Sequence, residues 1–240
     1  MSRLPRSSTD RDWRPLRPPS PASSRWRPNA RLRSCSCLGW GRCRPTGRQQ
    51  VTSLPPGWRG FVPWLPGLKP TDKQGFDLER AVGEMVMLLD SHNLARAHVV
   101  GLSLGAVVAL RLASRHPERV DRLVLASGQV TPPKMVMKLQ LALMRRTPES
   151  KFLAEGMLKE RAIGAVEMLA KLDLRADLKA VQAPTLVLTG SGDPQNRPGA
   201  KALASGIRGA RLAVIEGGHA LNTANPEAFN REVFGFLTAG

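Results

Sequence analysis

The sequence predicts an α/β fold, with a mostly parallel sheet flanked by helices. Short apolar runs such as His98–Val100 and Thr185–Leu188 are typical of buried parallel strands. The run from Ala106 to Ala113 instead carries apolar residues at helical spacing. The pentapeptide Gly101-Leu102-Ser103-Leu104-Gly105 joins one such strand to this helix. Strands that alternate with helices favour a parallel sheet with helices on its faces.

The same pentapeptide points to a reactive serine. G-x-S-x-G between a strand and a helix is typical of a turn that holds a serine hydroxyl above the sheet. The turn is too sharp for side chains on both flanks of Ser103, which explains the glycines at positions 101 and 105. A lone serine in this place is equally explained as a helix N-cap, so the rest of the chain decides between the two.

Two later loops supply the groups that a serine nucleophile needs. A histidine must take the serine proton, and a carboxylate must orient that histidine. Asp193 follows the predicted strand Thr185–Leu188, and His219 follows the predicted strand Ala210–Ile215. Because the carboxyl ends of parallel strands lie at one edge of a sheet, we predict that Ser103, Asp193 and His219 meet there.

Other interpretations exist for these residues. Asp193 before a proline is also a turn former, and His219 on its own is also a plain loop residue. Among the rival acids, Asp121 lies at the start of its strand, at the opposite edge of the sheet. Glu216 lies too close to His219 in sequence to reach its far nitrogen. Asp193 is therefore the predicted acid.

Several motifs follow one family's order between about Gly67 and the end of the chain. They are Gly101–Gly105, His116–Val120, Ala183–Gly190, Gly192-Asp193 and Gly217-Gly218-His219. With them the chain resembles the α/β-hydrolase superfamily, in its esterase and cofactor-free haloperoxidase-like branch. The resemblance implies an α/β-hydrolase fold with a short helical cap and no metal or organic cofactor. It also implies Ser103, Asp193 and His219 as catalytic residues, and the backbone N–H of Leu104 as one oxyanion-hole donor.

The second oxyanion donor is expected before residue 60, where the chain departs from the family pattern. The family usually has His-Gly after the strand beside the serine strand, and Leu38-Gly39-Trp40-Gly41 lies at a suitable distance. The backbone N–H of Trp40 is therefore the predicted second donor. The stretch expected to form the strand, Leu32–Cys37, is too polar for a central parallel strand.

Residues 1–56 form an Arg-, Pro- and Ser-rich segment with an unusual composition. The first 60 residues hold 13 Arg, no Lys and two acids, a net charge of +11 out of +17 for all 240 residues. Low hydrophobicity with high charge predicts a segment that is disordered or poorly packed. Cys35, Cys37 and Cys43 also lie here, with no nearby His that favours a metal site. We assign 57–240 as the hydrolase domain.

Three origins explain this segment. A translation of a GC-rich gene in the wrong frame gives Arg, Pro, Trp, Cys and Ser without Lys, and it fits best. A transit peptide is also Arg- and Ser-rich, but dense proline disfavours an amphipathic helix. A basic arm that binds a polyanion is the third, although the Arg residues are scattered and no nucleic-acid fold accompanies them.

The remaining elements are predicted in order. Asp77 is a good N-cap for a helix through Asp90, and Val120–Ser127 is the strand that follows the serine helix. Pro226 opens the last helix. Residues 129–182 interrupt the alternation and are assigned to the cap. Helical stretches are expected there at Lys134–Arg146, Lys151–Lys159 and Ile163–Lys171. Most of the apolar cap residues are expected to pack onto the sheet, and the others to line an acyl pocket.

Together these predictions describe a cytoplasmic serine hydrolase that cleaves a small carboxylic ester or lactone. No signal-peptide core and no apolar run near 18 residues is found, so no membrane is expected as a partner. No specific nucleic acid is expected either, because the Arg residues are scattered and no nucleic-acid fold accompanies them. The first alternative is a catalytically impaired hydrolase fold that acts as a binding protein. The second is polyanion binding through the Arg-rich segment.

Overall fold

The structure is a computed structural model that describes residues 33–39, 47–69, 71–154 and 158–239. The strands are β1 Arg33–Gly39, β2 Trp58–Phe61, β3 Ala97–Leu102, β4 Val120–Ala126, β5 Thr185–Gly190 and β6 Arg211–Ile215. The helices are α1 Arg48–Thr52, α2 Leu78–Ser91, α3 Leu104–Arg115, α4 Lys134–Arg146, α5 Glu149–Ala154, α6 Lys159–Leu169, α7 Arg175–Ala180, α8 Arg197–Gly206, α9 Leu221–Ala224 and α10 Pro226–Thr238.

The six strands form one parallel sheet in the order β2-β1-β3-β4-β5-β6. β3, which leads to Ser103, lies between β1 and β4. Because all strands run in the same direction, their carboxyl ends share one edge of the sheet. The α/β fold with a parallel sheet is thus confirmed.

One interpretation of the sequence is corrected at β1. Leu32–Cys37 was expected to be too polar for a central parallel strand, yet the backbone of Arg33–Gly39 pairs with β2 on one side and β3 on the other. Its register places Cys35 opposite His98 and Gly39 opposite Leu102. A strand beside the serine strand would otherwise be missing, and β3 would have an unpaired edge.

A second element inside 1–56 contacts the rest of the fold. Gln50 of α1 is buried, and its Nε2 donates to the backbone oxygen of Asn222 at 2.9 Å. This bond joins α1 to α9, which directly follows the loop of His219. The poor packing of residues 1–56 and a domain boundary at residue 57 stay predictions. Trp40, Cys43 and the Arg-rich residues before β1 lie outside the described residues.

Two apolar cores lie on the two faces of the sheet. Side chains alternate along the strands, so Leu123 and Leu125 of β4 lie in one core, and Val124 and Ala126 in the other. Residues of α2, α3, α6, α7 and α8 contribute to the first core, and residues of α9 and α10 contribute to the second. This three-layer packing fixes the strand ends that carry the candidate site.

The helix ends agree with their predicted signals. The Asp77 side chain accepts from the Arg80 N–H at 2.7 Å and caps α2. Asn225 accepts from the Ala228 N–H at 3.2 Å, and Pro226 is the first residue of α10. Both caps satisfy N–H groups that a helix leaves without an internal partner.

Within the described part of residues 129–182 lie four helices, α4 to α7. α4 has the predicted bounds, Lys134–Arg146. The other two predicted helical stretches differ from the observed α5 and α6, since α5 ends at Ala154 and α6 begins at Lys159. In the part of the chain that the structure describes, no helix combines the length and the apolar character that crossing a membrane requires.

Candidate active site

The loops that follow β3, β4, β5 and β6 meet at the carboxyl edge of the sheet. They carry Ser103, Ser127, Asp193 and His219. The predicted catalytic residues therefore come from three different strands, as the parallel topology requires.

Ser103 has a backbone conformation that few non-glycine residues adopt, with φ 56° and ψ −116°. Its N–H donates to the Ala126 oxygen at 2.9 Å, which anchors the turn to the end of β4. A Cβ at Gly101 would lie 2.4 Å from the Gly105 oxygen, so the strand and helix approach too closely for a side chain there. Backbone strain of this kind persists where many surrounding contacts hold the residue in place.

Ser103, His219 and Asp193 form a continuous chain of hydrogen bonds. His219 Nε2 is 2.9 Å from Ser103 Oγ, and His219 Nδ1 is 3.1 Å from Asp193 Oδ2. Asp193 is buried, whereas the His219 side chain is about half exposed. The predicted residues are thus brought together in the predicted order.

The loops of Asp193 and His219 are joined through their backbones. The Gly192 N–H donates to the Gly217 oxygen at 2.9 Å, and the Ser191 N–H to the Ile215 oxygen at 2.9 Å. A Cβ at Gly190 would lie 2.3 Å from the Gly217 oxygen. The side chains of the acid and the base therefore sit on two segments in direct contact.

Ser103 and His219 line a cavity of about 420 Å³. Its other lining residues are Leu104, Val107, Ser127, Gln129, Pro132, Val136, Met137, Leu139, Gln140, Leu143, Leu169, Gln195 and Asn196. α4 contributes one wall, so part of the predicted cap borders the same cavity as the serine. The volume lies in the range of small-molecule sites.

Comparison with known proteins assigns the family. The model of the alpha/beta hydrolase family matches residues 23–232. The chain belongs to the alpha/beta hydrolase family. The resemblance drawn from the motifs is thereby confirmed, and the chain is a hydrolase.

Relatives of this alpha/beta hydrolase include enzymes of three kinds. A putative carbamate hydrolase RutD from Caulobacter sp. (strain K31) is 29% identical, covering 65% of this chain and 70% of that protein. A pimeloyl-(acyl-carrier protein) methyl ester esterase from Aromatoleum aromaticum is 31% identical, covering 79% of this chain and 91% of that protein. A 3-oxoadipate enol-lactonase from Acinetobacter baylyi is 23% identical, covering 70% of this chain and 73% of that protein. Among solved structures, a hydrolase from Pseudomonas aeruginosa PA01 is 25% identical with a TM-score of 0.77, covering 88% of this chain and 91% of that one.

The hydrolase has a buried amide at the site that sequence reasoning missed. Asn196 Nδ2 is 2.8 Å from both carboxylate oxygens of Asp193 and 3.0 Å from His219 Nδ1. Its Oδ1 accepts from Gln129 Nε2 at 2.6 Å, which fixes the orientation of the amide. A flipped amide would place its oxygen against the carboxylate.

Asn196 and Asp193 favour different tautomers of His219. The Asp193 carboxylate accepts a hydrogen bond from a protonated Nδ1, which leaves Nε2 free to accept a hydrogen bond from the Ser103 hydroxyl. A hydrogen bond from Asn196 to Nδ1 would instead place the proton on Nε2. Because a bond to a carboxylate is the stronger one, we assign the ring proton to Nδ1, and an amide N–H of Asn196 donates to the Asp193 carboxylate.

Ser127 is a second residue that the sequence did not single out. Its Oγ donates to the backbone oxygen of His219 at 2.9 Å, and its own N–H donates to the Leu188 oxygen. Ser127 therefore fixes the backbone of the histidine loop against the ends of β4 and β5. Its positive φ of 50° at the end of a strand has no sequence signature.

Leu104 is the first residue of α3, and its N–H has no partner within the helix. This N–H directly follows Ser103, and Leu104 lines the cavity. Trp40, the other predicted donor, lies outside the described residues, and β1 ends one residue before it.

Proposed function

We propose that this hydrolase cleaves a small carboxylic ester or lactone, with Ser103 as nucleophile, His219 as general base and Asp193 as orienting acid. The observation that carries the proposal is the hydrogen-bonded chain Ser103–His219–Asp193 at the wall of a cavity of about 420 Å³. The activities of the esterase and lactonase relatives support the same class of substrate. The cytoplasmic location stays a prediction.

In the proposed acylation step, His219 Nε2 takes the hydroxyl proton as Ser103 Oγ attacks the ester carbonyl. The carbonyl π electrons move to the oxygen and form an oxyanion. When this tetrahedral intermediate collapses, the bond to the leaving oxygen breaks, and His219 gives its proton to that oxygen. An ester thus releases an alcohol, whereas a lactone keeps its hydroxyl within the acyl group.

Deacylation repeats the step with water as the nucleophile. His219 takes a proton from water as the water oxygen attacks the acyl carbon. When this second tetrahedral intermediate collapses, the bond from the acyl carbon to Ser103 Oγ breaks, and His219 gives its proton to Oγ. In both steps Asp193 stabilises the imidazolium and keeps its ring in place. This step releases the free enzyme and the acid, which is a carboxylic acid from an ester and a hydroxy acid from a lactone.

The oxyanion requires two N–H donors in this proposal. The Leu104 N–H supplies the first, since it lies at the start of α3 beside Ser103. We keep the Trp40 N–H as the second, because β1 ends at Gly39 in register with Leu102, the residue before Ser103. One such donor lowers the barrier by about 3 kcal/mol, or about 10²–10³ in rate.

Burst kinetics with a p-nitrophenyl ester test this proposal. We expect wild type to release about one equivalent of p-nitrophenol before steady state. Ser103→Ala and His219→Ala should each lower kcat by about 10⁴-fold or more, and the double variant little further. Asp193→Asn should lower kcat by up to about 10⁴-fold, because it disturbs the tautomer.

Ser205→Ala and His116→Ala are matched controls. Both residues lie outside the cavity lining, and both variants should retain wild-type rates. Ligand binding by wild type without any turnover would instead favour the impaired binding protein. A His219→Ala variant with most of the wild-type rate would show that another residue is the base.

A further inference from the structure

Helix α4 presents an unusual apolar row to solvent. Met135, Leu139 and Leu143 recur every four residues and are 75%, 73% and 67% exposed. The row covers eight residue steps, about 12 Å of helix length. α4 lies wholly within the described part of the chain, and Met137 is its only buried residue. The sequence had favoured packing onto the sheet for most of these side chains.

Positive charge lies directly beside this row. α4 contains Lys134, Lys138, Arg145 and Arg146 and no acidic residue. Lys138 is three residues after Met135, and Arg146 three after Leu143, so each is a neighbour of the row on the helix surface. Arg145 instead pairs with Glu167 of α6 at 2.8 Å.

Helix α4 also forms part of the wall of the cavity that contains Ser103. Val136 and Gln140 line the cavity, and so do Leu139 and Leu143 of the row itself. These two leucines therefore belong both to the exposed apolar row and to the wall of the cavity.

We propose that the exposed face of α4 docks onto an anionic lipid surface. A row of long apolar side chains with basic neighbours is the pattern of a helix that lies in a membrane interface. The stems of Lys134 and Lys138 can follow the apolar face, while their ammonium groups reach anionic headgroups. This proposal departs from the sequence-based expectation of no membrane partner, since the sequence pattern does not show which face of α4 is left open.

An anionic lipid fits this face better than an acidic protein. The row offers three exposed aliphatic side chains, and the charged side chains of α4 are all basic, so apolar groups that can insert and cations that can meet headgroups lie on one helix. Docking in this way also places the cavity mouth at the lipid surface. Transfer of an apolar ester from lipid to Ser103 rests on the proposed function, but the docking itself does not.

Vesicle co-sedimentation of the full chain tests the docking. The probes are vesicles of phosphatidylcholine alone and vesicles with one part phosphatidylglycerol to two parts phosphatidylcholine. We expect wild type to bind the anionic vesicles. Met135→Gln should weaken this binding by about tenfold, as expected for loss of an inserted side chain. Lys138→Gln should weaken it by about fivefold.

Controls separate α4 from the rest of the chain. Met87→Gln on α2 and Lys201→Gln on α8 remove the same groups at other exposed positions and should bind like wild type. All variants keep the Arg-rich first 60 residues, whose purely ionic binding would fall steeply with salt. Met135 and Lys138 do not line the cavity, so turnover of p-nitrophenyl acetate in solution should stay unchanged in both variants.

The docking proposal is overturned if wild type does not prefer anionic vesicles, or if Met135→Gln and Lys138→Gln bind as wild type does. Binding of an acidic protein to α4 without vesicle binding would also overturn it. Vesicle binding by a chain that hydrolyses no ester would leave the docking standing and refute the proposed function alone.

Discussion

The carboxyl edge of the sheet and helix α4 border the same cavity, but they are held in very different ways. At the edge, backbone bonds such as Gly192 N–H to the Gly217 oxygen fix one loop against the next. α4 buries one residue, and its polar ties include Arg145 to Glu167 and Lys159 Nζ to the Arg145 oxygen at 2.7 Å, both to α6.

This difference separates chemistry from substrate choice. Proton transfer requires distances within a few tenths of an ångström, and main-chain packing at the edge supplies them. Contact with an apolar substrate depends mainly on the apolar surface area of the cavity wall, and side chains of α4 supply that area. Substitutions at the edge should therefore lower stability and rate together. Substitutions on α4 should change selectivity and leave stability nearly unaltered.

Gly190→Ala should have the largest effect on stability. The new Cβ would lie 2.3 Å from the Gly217 oxygen and 2.6 Å from the Gly218 oxygen, so both loops must move. We expect a loss of about 2–4 kcal/mol in the free energy of unfolding, measured by urea denaturation. Ester hydrolysis should fall at the same time, because the Asp193 and His219 loops separate.

Gly164→Ala is the matched control for this variant. Gly164 lies inside α6, and no atom lies within 4 Å of the position of its Cβ. Alanine should raise stability there by up to about 1 kcal/mol, since glycine is a poor helix former. Equal unfolding midpoints for the two variants would contradict the tight contact between the loops.

The sequence predicted those parts of the site whose patterns involve residues close together in the chain. Ser103, Asp193 and His219 each follow a strand with a local glycine pattern, so the three local signals together predicted where these residues meet. The bounds of α4 were also predicted, because helical periodicity is local. Asn196 was missed because the orientation of its amide depends on Gln129, which lies 67 residues away in the sequence.

β1 is an element for which the local composition gave the wrong prediction. Its polar composition argued against a central strand, but its place follows from backbone pairing with β2 and β3. Such pairing is nonlocal, and strand propensity depends on context. The exposure of α4 was missed for a related reason. Apolar residues occur on nearly all its sides, so periodicity does not show which side the fold covers.

Asn196→Ala should lower the rate by a smaller amount than loss of Asp193. Without the amide, Asp193 loses two hydrogen bonds and is free to turn away from His219. We expect kcat to fall by about 10–100-fold with KM nearly unchanged, since Asn196 acts through Asp193 as a positioning residue. Steady-state kinetics on a p-nitrophenyl ester, with thermal unfolding in parallel, measures both quantities.

Asn196→Asp sharpens the test because it keeps the shape but cannot donate when charged. A loss of kcat at least as large as in Asn196→Ala would support the donor role. Gln129→Met, which removes the donor to Asn196 Oδ1, should have a weaker effect of the same kind. Full activity of Asn196→Asp would show that Asn196 only fills space.

Leu143→Ala should have the smallest effect, confined to substrates with long acyl chains. The side chain lines the cavity but is mostly exposed, so a bound acyl chain covers it only in part. We expect kcat/KM for p-nitrophenyl hexanoate to fall by about fivefold, as expected for loss of about 1 kcal/mol of apolar contact. The value for p-nitrophenyl acetate and the melting temperature should not change. Met87→Ala, an equally exposed apolar side chain outside the cavity lining, should alter neither ester. If Leu143→Ala slowed acetate and hexanoate alike, α4 would be part of the fixed catalytic frame, and the contrast between the two walls of the cavity would be wrong.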